Sequence, residues 1–158
     1  MRTTCEVVVR APVAATFAAI VDWRGQEQWL PGTRVRVIDG DGRSEGSRLE
    51  AVLGRGPAAV VDRMVIVRWD PPHRVEVRHD GPVVRGTGGF EVLELPRGMS
   101  RVVWTEEREV PLGPVGRVGM SLACPALAVG ARRFLRTLAG LVETGVLPRA
   151  VTAPARGE

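Results

Sequence analysis

Residues 73–110 read HRVEVRHDGPVVRGTGGFEVLELPRGMSRVVWTEEREV, and this stretch decides the fold. Residues 73–79 alternate, with Val75, Val77 and His79 on one side and Arg74, Glu76 and Arg78 on the other. A period of two marks a half-buried strand. Asp80-Gly81-Pro82 turns the chain, and Val84 to Leu95 forms the next strand. Pro96-Arg97-Gly98 turns it again, before a strand from Arg101 to Val110. Turns this short imply antiparallel pairing. With residues 80–83 and 96–99 as turns, His79 faces Val84, Val77 faces Gly86 and Val75 faces Gly88. Phe90 then faces Glu106, Val92 faces Trp104 and Glu94 faces Val102. Cross-strand partners share a face. One face therefore carries Val75, Val77, His79, Phe90, Val92, Val102, Trp104 and Glu106. It is mostly apolar and is placed inward. A slip of one residue would reverse every assignment. Gly86, Gly88 and Gly89 inside a strand suggest a bulge or a sharp bend.

Upstream, residues 4–10 (TCEVVVR) form an opening strand with Cys5, Val7 and Val9 on one face. Pro12 starts a short helix, with Val13, Phe17, Ile20 and Val21 at helical spacing. A second short helix runs from Arg24 to Leu30 and stops at Pro31-Gly32. Strands follow around Val35 and Val37, from Ser47 to Leu53 and from Ala58 to Trp69. Downstream, the period becomes helical from about Val115 to Thr144, with Leu122, Ala126, Val129, Leu135, Leu138 and Val142 near one stripe. Pro125 should kink or divide that helix. Residues 146–158 are aperiodic and are expected to be a flexible tail, dispensable for stability, behind a single domain at 1–145.

At 158 residues the chain suits one domain able to fold without metal or disulfide. All 22 basic residues are Arg, and Lys, Asn and Tyr are missing, which are the marks of a GC-rich coding sequence. Residues 1–110 hold 16 Arg and 16 acids, so the net +4 sits in residues 111–158. That basic end reads as a solvated helix face or as a contact for a macromolecule. Dense basic clusters with interleaved aromatics, the pattern of nucleic-acid binders, are missing. No apolar run reaches the roughly 20 residues of a membrane span, and the N-terminus resembles a strand rather than a leader. A cytoplasmic protein without nucleic-acid partner or stable membrane insertion is expected. Cys5 and Cys124 lie far apart and read as small core residues.

Gly54-Arg55-Gly56-Pro57-Ala58-Ala59 fits a dinucleotide pattern, but a strand follows where that pattern needs a helix. A chain without Lys has no phosphate-loop lysine, and two His with no zinc spacing argue against a metal. No cofactor is expected. The polar members of the inward face, His79 and Glu106, can act as acid and base if buried, or sit exposed at strand ends. Trp23 and Trp29 read as core or pocket mouth, Trp69 fits either face, and Trp104 lines a pocket or the core. Met120 and Leu122 are placed against any cavity.

This order of elements resembles the START-like superfamily, also called SRPBCC, Bet v 1-like or helix-grip, in its bacterial polyketide cyclase/dehydrase and lipid-transport branch. The resemblance rests on Ala11-Pro12-Val13, Phe17, Trp23, Trp29-Leu30-Pro31-Gly32 and Gly46-Ser47. It continues in Asp70-Pro71-Pro72-His73-Arg74, Gly88-Gly89-Phe90 and Ser100-Arg101-Val102-Val103-Trp104. It spans about residues 4–144. It implies an α+β fold: a curved antiparallel sheet wrapped around a long C-terminal helix, with two short helices after the first strand. It also implies a hydrophobic small molecule, lipid- or polyketide-like, held between sheet and helix. Val77, His79, Phe90, Trp104, Glu106, Met120 and Leu122 are the expected ligand contacts. Two alternatives stay open. One is a polyketide cyclase or dehydratase using His79 or Glu106 with an Arg such as Arg68 or Arg85. The other is a regulator that meets a macromolecule through the basic C-terminal helix. The oligomeric state is not legible in the sequence.

Overall fold

The computed structural model describes residues 2–82, 84–109 and 129–148. Seven strands form one antiparallel sheet: β1 (Arg2–Val9), β2 (Thr33–Asp39), β3 (Arg48–Leu53), β4 (Val60–Asp70), β5 (Arg74–Asp80), β6 (Arg85–Leu95) and β7 (Met99–Arg108). Their order is β1-β7-β6-β5-β4-β3-β2. The consecutive strands β1 and β2 therefore lie at opposite edges. Helix α1 (Val13–Ile20) and a 3-10 turn (Trp23–Gln28) carry the chain between them. A second helix, α2, covers 129–143 among the described residues. Met120, Leu122 and Pro125 lie outside the described residues.

The core is the alternate set of each strand. Val9, Val102, Val92, Val75, Ile66 and Leu49 are buried on one face of the sheet, with the Leu135, Leu138, Ala139 and Val142 stripe of α2 in the same cluster. Arg132, Arg133 and Arg136 occupy the exposed side of that helix. Helix α1 buries Thr16, Phe17, Ala19 and Ile20. Its one polar core residue is satisfied: Thr16 Oγ1 lies 2.8 Å from Ser100 Oγ, which donates to the Ala11 carbonyl at 2.9 Å.

The pairing corrects the expected register by two residues at both hairpins. Val75 pairs Phe90, Val77 pairs Gly88 and His79 pairs Gly86. Phe90 pairs Trp104, Val92 pairs Val102 and Glu94 pairs Ser100. The first turn sits one residue later, because Asp80 and Arg85 still pair. The second is a three-residue loop, with Arg97 at φ 64° and Gly98 at φ 70° closing it tightly. A shift of two preserves parity, so the inward face keeps the expected members.

The glycines of β6 make no bulge: its pairing with β5 and β7 is unbroken. The breaks fall at Val37/Asp39 and Ile66/Arg68 instead. The second one puts Trp69 beside Val75 on the inner face, although Met64 and Ile66 precede it at even positions. Trp69 then meets Phe17 of α1 edge-on, at 5.6 Å between centroids.

The expected tail boundary also changes. Leu147 is only 1% exposed. Its N–H closes on the Leu141 carbonyl at 3.1 Å, and its side chain lies over Gly25 of the 3-10 turn. The aperiodicity of residues 146–148 hid one anchoring leucine. Leu147→Ala is expected to cost about 2–5 kcal/mol, as for other buried leucines. A chain ending at Gly145 should melt roughly 5–15 °C below the full chain. Equal melting temperatures in a calorimetric scan would show that Leu147 anchors nothing.

Candidate functional site

Four neighbouring strands, β4 to β7, converge on His79. On the inner face His79 of β5 stands beside Met64 of β4 and Gly86 of β6. One step along, Val77, Gly88 and Glu106 align across β5, β6 and β7. His79 is buried at 7% exposure, so the rim position open to it in the sequence is excluded. Its Nδ1 lies 2.8 Å and 3.1 Å from the two carboxylate oxygens of Asp62. Its Nε2 lies 3.6 Å from Glu106 Oε2, beyond a hydrogen bond. The Trp104 indole N–H donates to Glu106 Oε1 at 2.9 Å. Arg108 Nε stands 3.5 Å from Glu106 Oε2.

Gly88 explains how the groups come so close. A Cβ there would lie 2.6 Å from Glu106 Oε1 and 3.0 Å from His79 Nε2. Neither neighbour could keep its place. The glycine serves the packing of this pair rather than a bend of the strand.

An aromatic wall adjoins the polar groups. Phe90 and Trp104 stack at 5.2 Å with planes 25° apart. Trp29 meets them edge-on, at 6.0 Å and 6.4 Å. Three buried polar atoms have no hydrogen-bond partner at this place: His79 Nε2, Glu106 Oε2 and Trp29 Nε1. Stranding such groups costs about 1–3 kcal/mol each.

Sequence reasoning brought Val77, His79, Phe90, Trp104 and Glu106 to one face, and they share it. It missed Asp62. The signal was present, because Asp62 alternates with Met64 and Ile66 in β4 and is the acid in that apolar row. It offered Arg68 or Arg85 as partners of the pair. Arg68 and Arg85 are exposed, and it is Arg108 that reaches Glu106. The outer face carries a shallow groove of about 290 Å³, lined by mixed charges such as Arg74, Glu76 and Glu107. Among the described residues no cluster is placed to hold a metal ion. Asp62 and Glu106 address opposite nitrogens of the His79 ring, so they do not converge on one point.

The charges hold one another. Burial pushes the His79 imidazolium down, but hydrogen bonding and attraction from Asp62 and Glu106 outweigh it and raise the pKa to about 9. Burial pushes the Glu106 carboxyl up, yet His79, Arg108 and Trp104 together hold it below its usual value. The signs follow by linkage. The folded pKa of His79 lies above the 6.5 of a free imidazole, so its stabilisation is complete below about 6.5 and is lost as pH rises through about 9. The Glu106 contribution is present above the ordinary 4.5 and is lost on acidification through its lowered folded value. With no Lys and no Tyr in the chain, the two cysteines and the terminal amine are the other groups whose ordinary range falls between pH 7 and 10, and they are common to the native protein and a His79 variant. The melting temperature should therefore fall steadily over that range in the native protein and much less in His79→Gln. Parallel profiles for the two would contradict the charged-pair assignment.

Fold and site together define a helix-grip protein with a buried charged pair beside an aromatic wall. The chain belongs to the family described as polyketide cyclase / dehydrase and lipid transport, whose model matches residues 1–143. TTHA0849 from Thermus thermophilus is similar in structure, with TM-score 0.75 and 18% identity, covering 92% of this chain and 99% of that one. The Zhui aromatase/cyclase from Streptomyces sp. R1128 gives TM-score 0.72 at 15% identity, covering 97% and 98%. The di-domain ARO/CYC BexL from the BE-7585A biosynthetic pathway gives 0.71 at 16% identity, covering 94% of this chain and 48% of that one. No curated protein matches by sequence.

Proposed function

We propose that the protein binds an apolar small molecule, lipid- or polyketide-like, over the inner face of the sheet. Its ring or chain packs on Phe90 and Trp104, with Val77 beneath, and its polar end meets His79 and Glu106. The observation that carries this reading is the set of buried, unpartnered polar atoms beside an aromatic wall. Binding sites are mostly apolar with a few convergent polar groups. We place this activity in the cytoplasm, where the buried Cys5 thiol stays reduced. Among the described residues no helix is long and apolar enough to cross a membrane.

The cyclase or dehydratase alternative asks the same pair to move protons. Its acid would be an imidazolium with pKa about 9, and its base a carboxylate held below the ordinary range. General acid–base catalysis works best with values near the operating pH. A protonated imidazole beside an ionised carboxylate suits either role, and the stacked aromatic wall beside them favours binding.

The neutral dye N-phenyl-1-naphthylamine tests the binding reading. Its emission should rise saturably on titration with the protein, and Trp104→Ala should weaken binding about tenfold, or 1.4 kcal/mol. Unchanged emission with the native protein would sink the reading. Equal affinity in Trp104→Ala would move the site away from this wall.

A further inference from the structure

We infer that His79 and Glu106 form a subsite that reads one neutral hydroxyl group, phenolic or enolic, on the bound ligand. This rests on the binding site proposed above and names the chemistry that it accepts. His79 Nδ1 is committed to Asp62, and both of that carboxylate's oxygens lie within 3.1 Å of it. Nδ1 donates to Asp62, and with its pKa raised to about 9 the ring is an imidazolium at neutral pH, so Nε2 carries a second N–H, on a side chain only 6% exposed. Glu106 Oε1 is committed to the Trp104 indole. Its Oε2 has no hydrogen-bond donor. A donor and an acceptor thus stand without a hydrogen bond, 3.6 Å apart, with Arg108 Nε 3.5 Å from the same Glu106 oxygen. That gap is too long for a mutual hydrogen bond. It is short enough for a single oxygen to sit about 2.8 Å from both.

The group between them must accept from His79 and donate to Glu106. A carbonyl or an ether only accepts, and it leaves Glu106 stranded. An ammonium only donates, and it meets the imidazolium. A carboxylate is repelled by Glu106 at contact. A hydroxyl does both. The glycine at position 88 is what lets the two groups stand this close. Its backbone has no positive φ that demands glycine, and the atoms nearest to a Cβ there belong to Glu106 and His79. A glycine within a strand costs about 0.5–1 kcal/mol in chain entropy relative to alanine. Here that cost keeps the two polar atoms close to each other. Trp104 both stacks on Phe90 and bonds Glu106, so the ring wall and the hydroxyl subsite are one unit. A hydroxyl borne on a flat ring satisfies both at once, whereas a fatty acyl chain with its carboxylate satisfies neither.

The test is a matched series of 2-naphthol, 2-methoxynaphthalene, naphthalene and 2-naphthoate, titrated calorimetrically at pH 7. The native protein should bind 2-naphthol at least about tenfold more tightly than 2-methoxynaphthalene, and 2-naphthoate most weakly, because one buried polar partner is stranded or repelled. In Glu106→Gln the amide takes over the Trp104 contact with its oxygen and offers only donors to the ligand. The naphthol preference should shrink to about twofold and 2-naphthoate should gain affinity. Gly88→Ala should erase the preference while naphthalene still binds. If naphthol and methoxynaphthalene bind the native protein equally, the pair holds only a water molecule and the hydroxyl subsite is wrong, although the ring site stands. A preference that persists in Glu106→Gln places the hydroxyl elsewhere. Failure of all four probes removes the ring site as well, and with it the proposed function.

Discussion

An imidazolium buried away from water is unstable unless negative charge surrounds it, and His79 is arranged around that constraint. Desolvation of an ion costs several kcal/mol, and only close, well-directed partners offset it. Asp62 comes from β4, His79 from β5 and Glu106 from β7, with Gly88 of β6 making room between them. Four consecutive strands must hold their register for the charges to meet. A slip of one residue in any pairing turns one member outward and leaves the others uncompensated. The polar cluster therefore specifies the same inner face that the apolar alternation specifies. The two demands agree, which is how a sequence selects one pairing among several.

Parity was legible in the sequence and register was not, for a physical reason. Alternation of Val75, Val77 and His79 against Arg74, Glu76 and Arg78 says which residues share a face. It does not say how many residues a turn consumes. Arg97 adopts positive φ, an uncommon choice for a side chain of that size, and this shortens the second hairpin. The breaks in pairing were equally hidden. Nothing in Val65 to Trp69 announces that Ile66/Arg68 interrupts the ladder, yet that break decides the side of Trp69. Asp62 was readable from its place in the Asp62, Met64, Ile66 row. Leu147 was unreadable because one apolar residue beyond a helix carries no period.

The site gives up stability where the core does not. Thr16 and Ser100, fully buried, satisfy each other and the Ala11 carbonyl. His79 Nε2, Glu106 Oε2 and Trp29 Nε1 are equally hidden from water and have no such partners. Native proteins leave few buried polar atoms unpaired, and those that remain call for an explanation. Among the described residues three of the four such atoms gather around one aromatic wall, the fourth being Arg101 Nε of β7. Such departures belong to sites that meet something else.

The same charge balance also bears on what kind of site this is. Two carboxylates around one imidazole stabilise the proton rather than release it. A catalyst of enolisation needs a base with appreciable proton affinity near neutral pH. His79, Arg108 and Trp104 lower the proton affinity of Glu106 against the burial that raises it. His79, held by Asp62 and Glu106, has its pKa pushed up to about 9 and is protonated at neutral pH. What a fixed imidazolium and a fixed carboxylate do well is orient a neutral group between them, because neither dipole nor charge has to reorganise on binding. Loss of the Asp62 charge would release His79 toward an ordinary value and bring the pair closer to an acid–base couple. On this argument the distance between a holder and a catalyst on this scaffold is set by Asp62, a residue that need never touch the ligand.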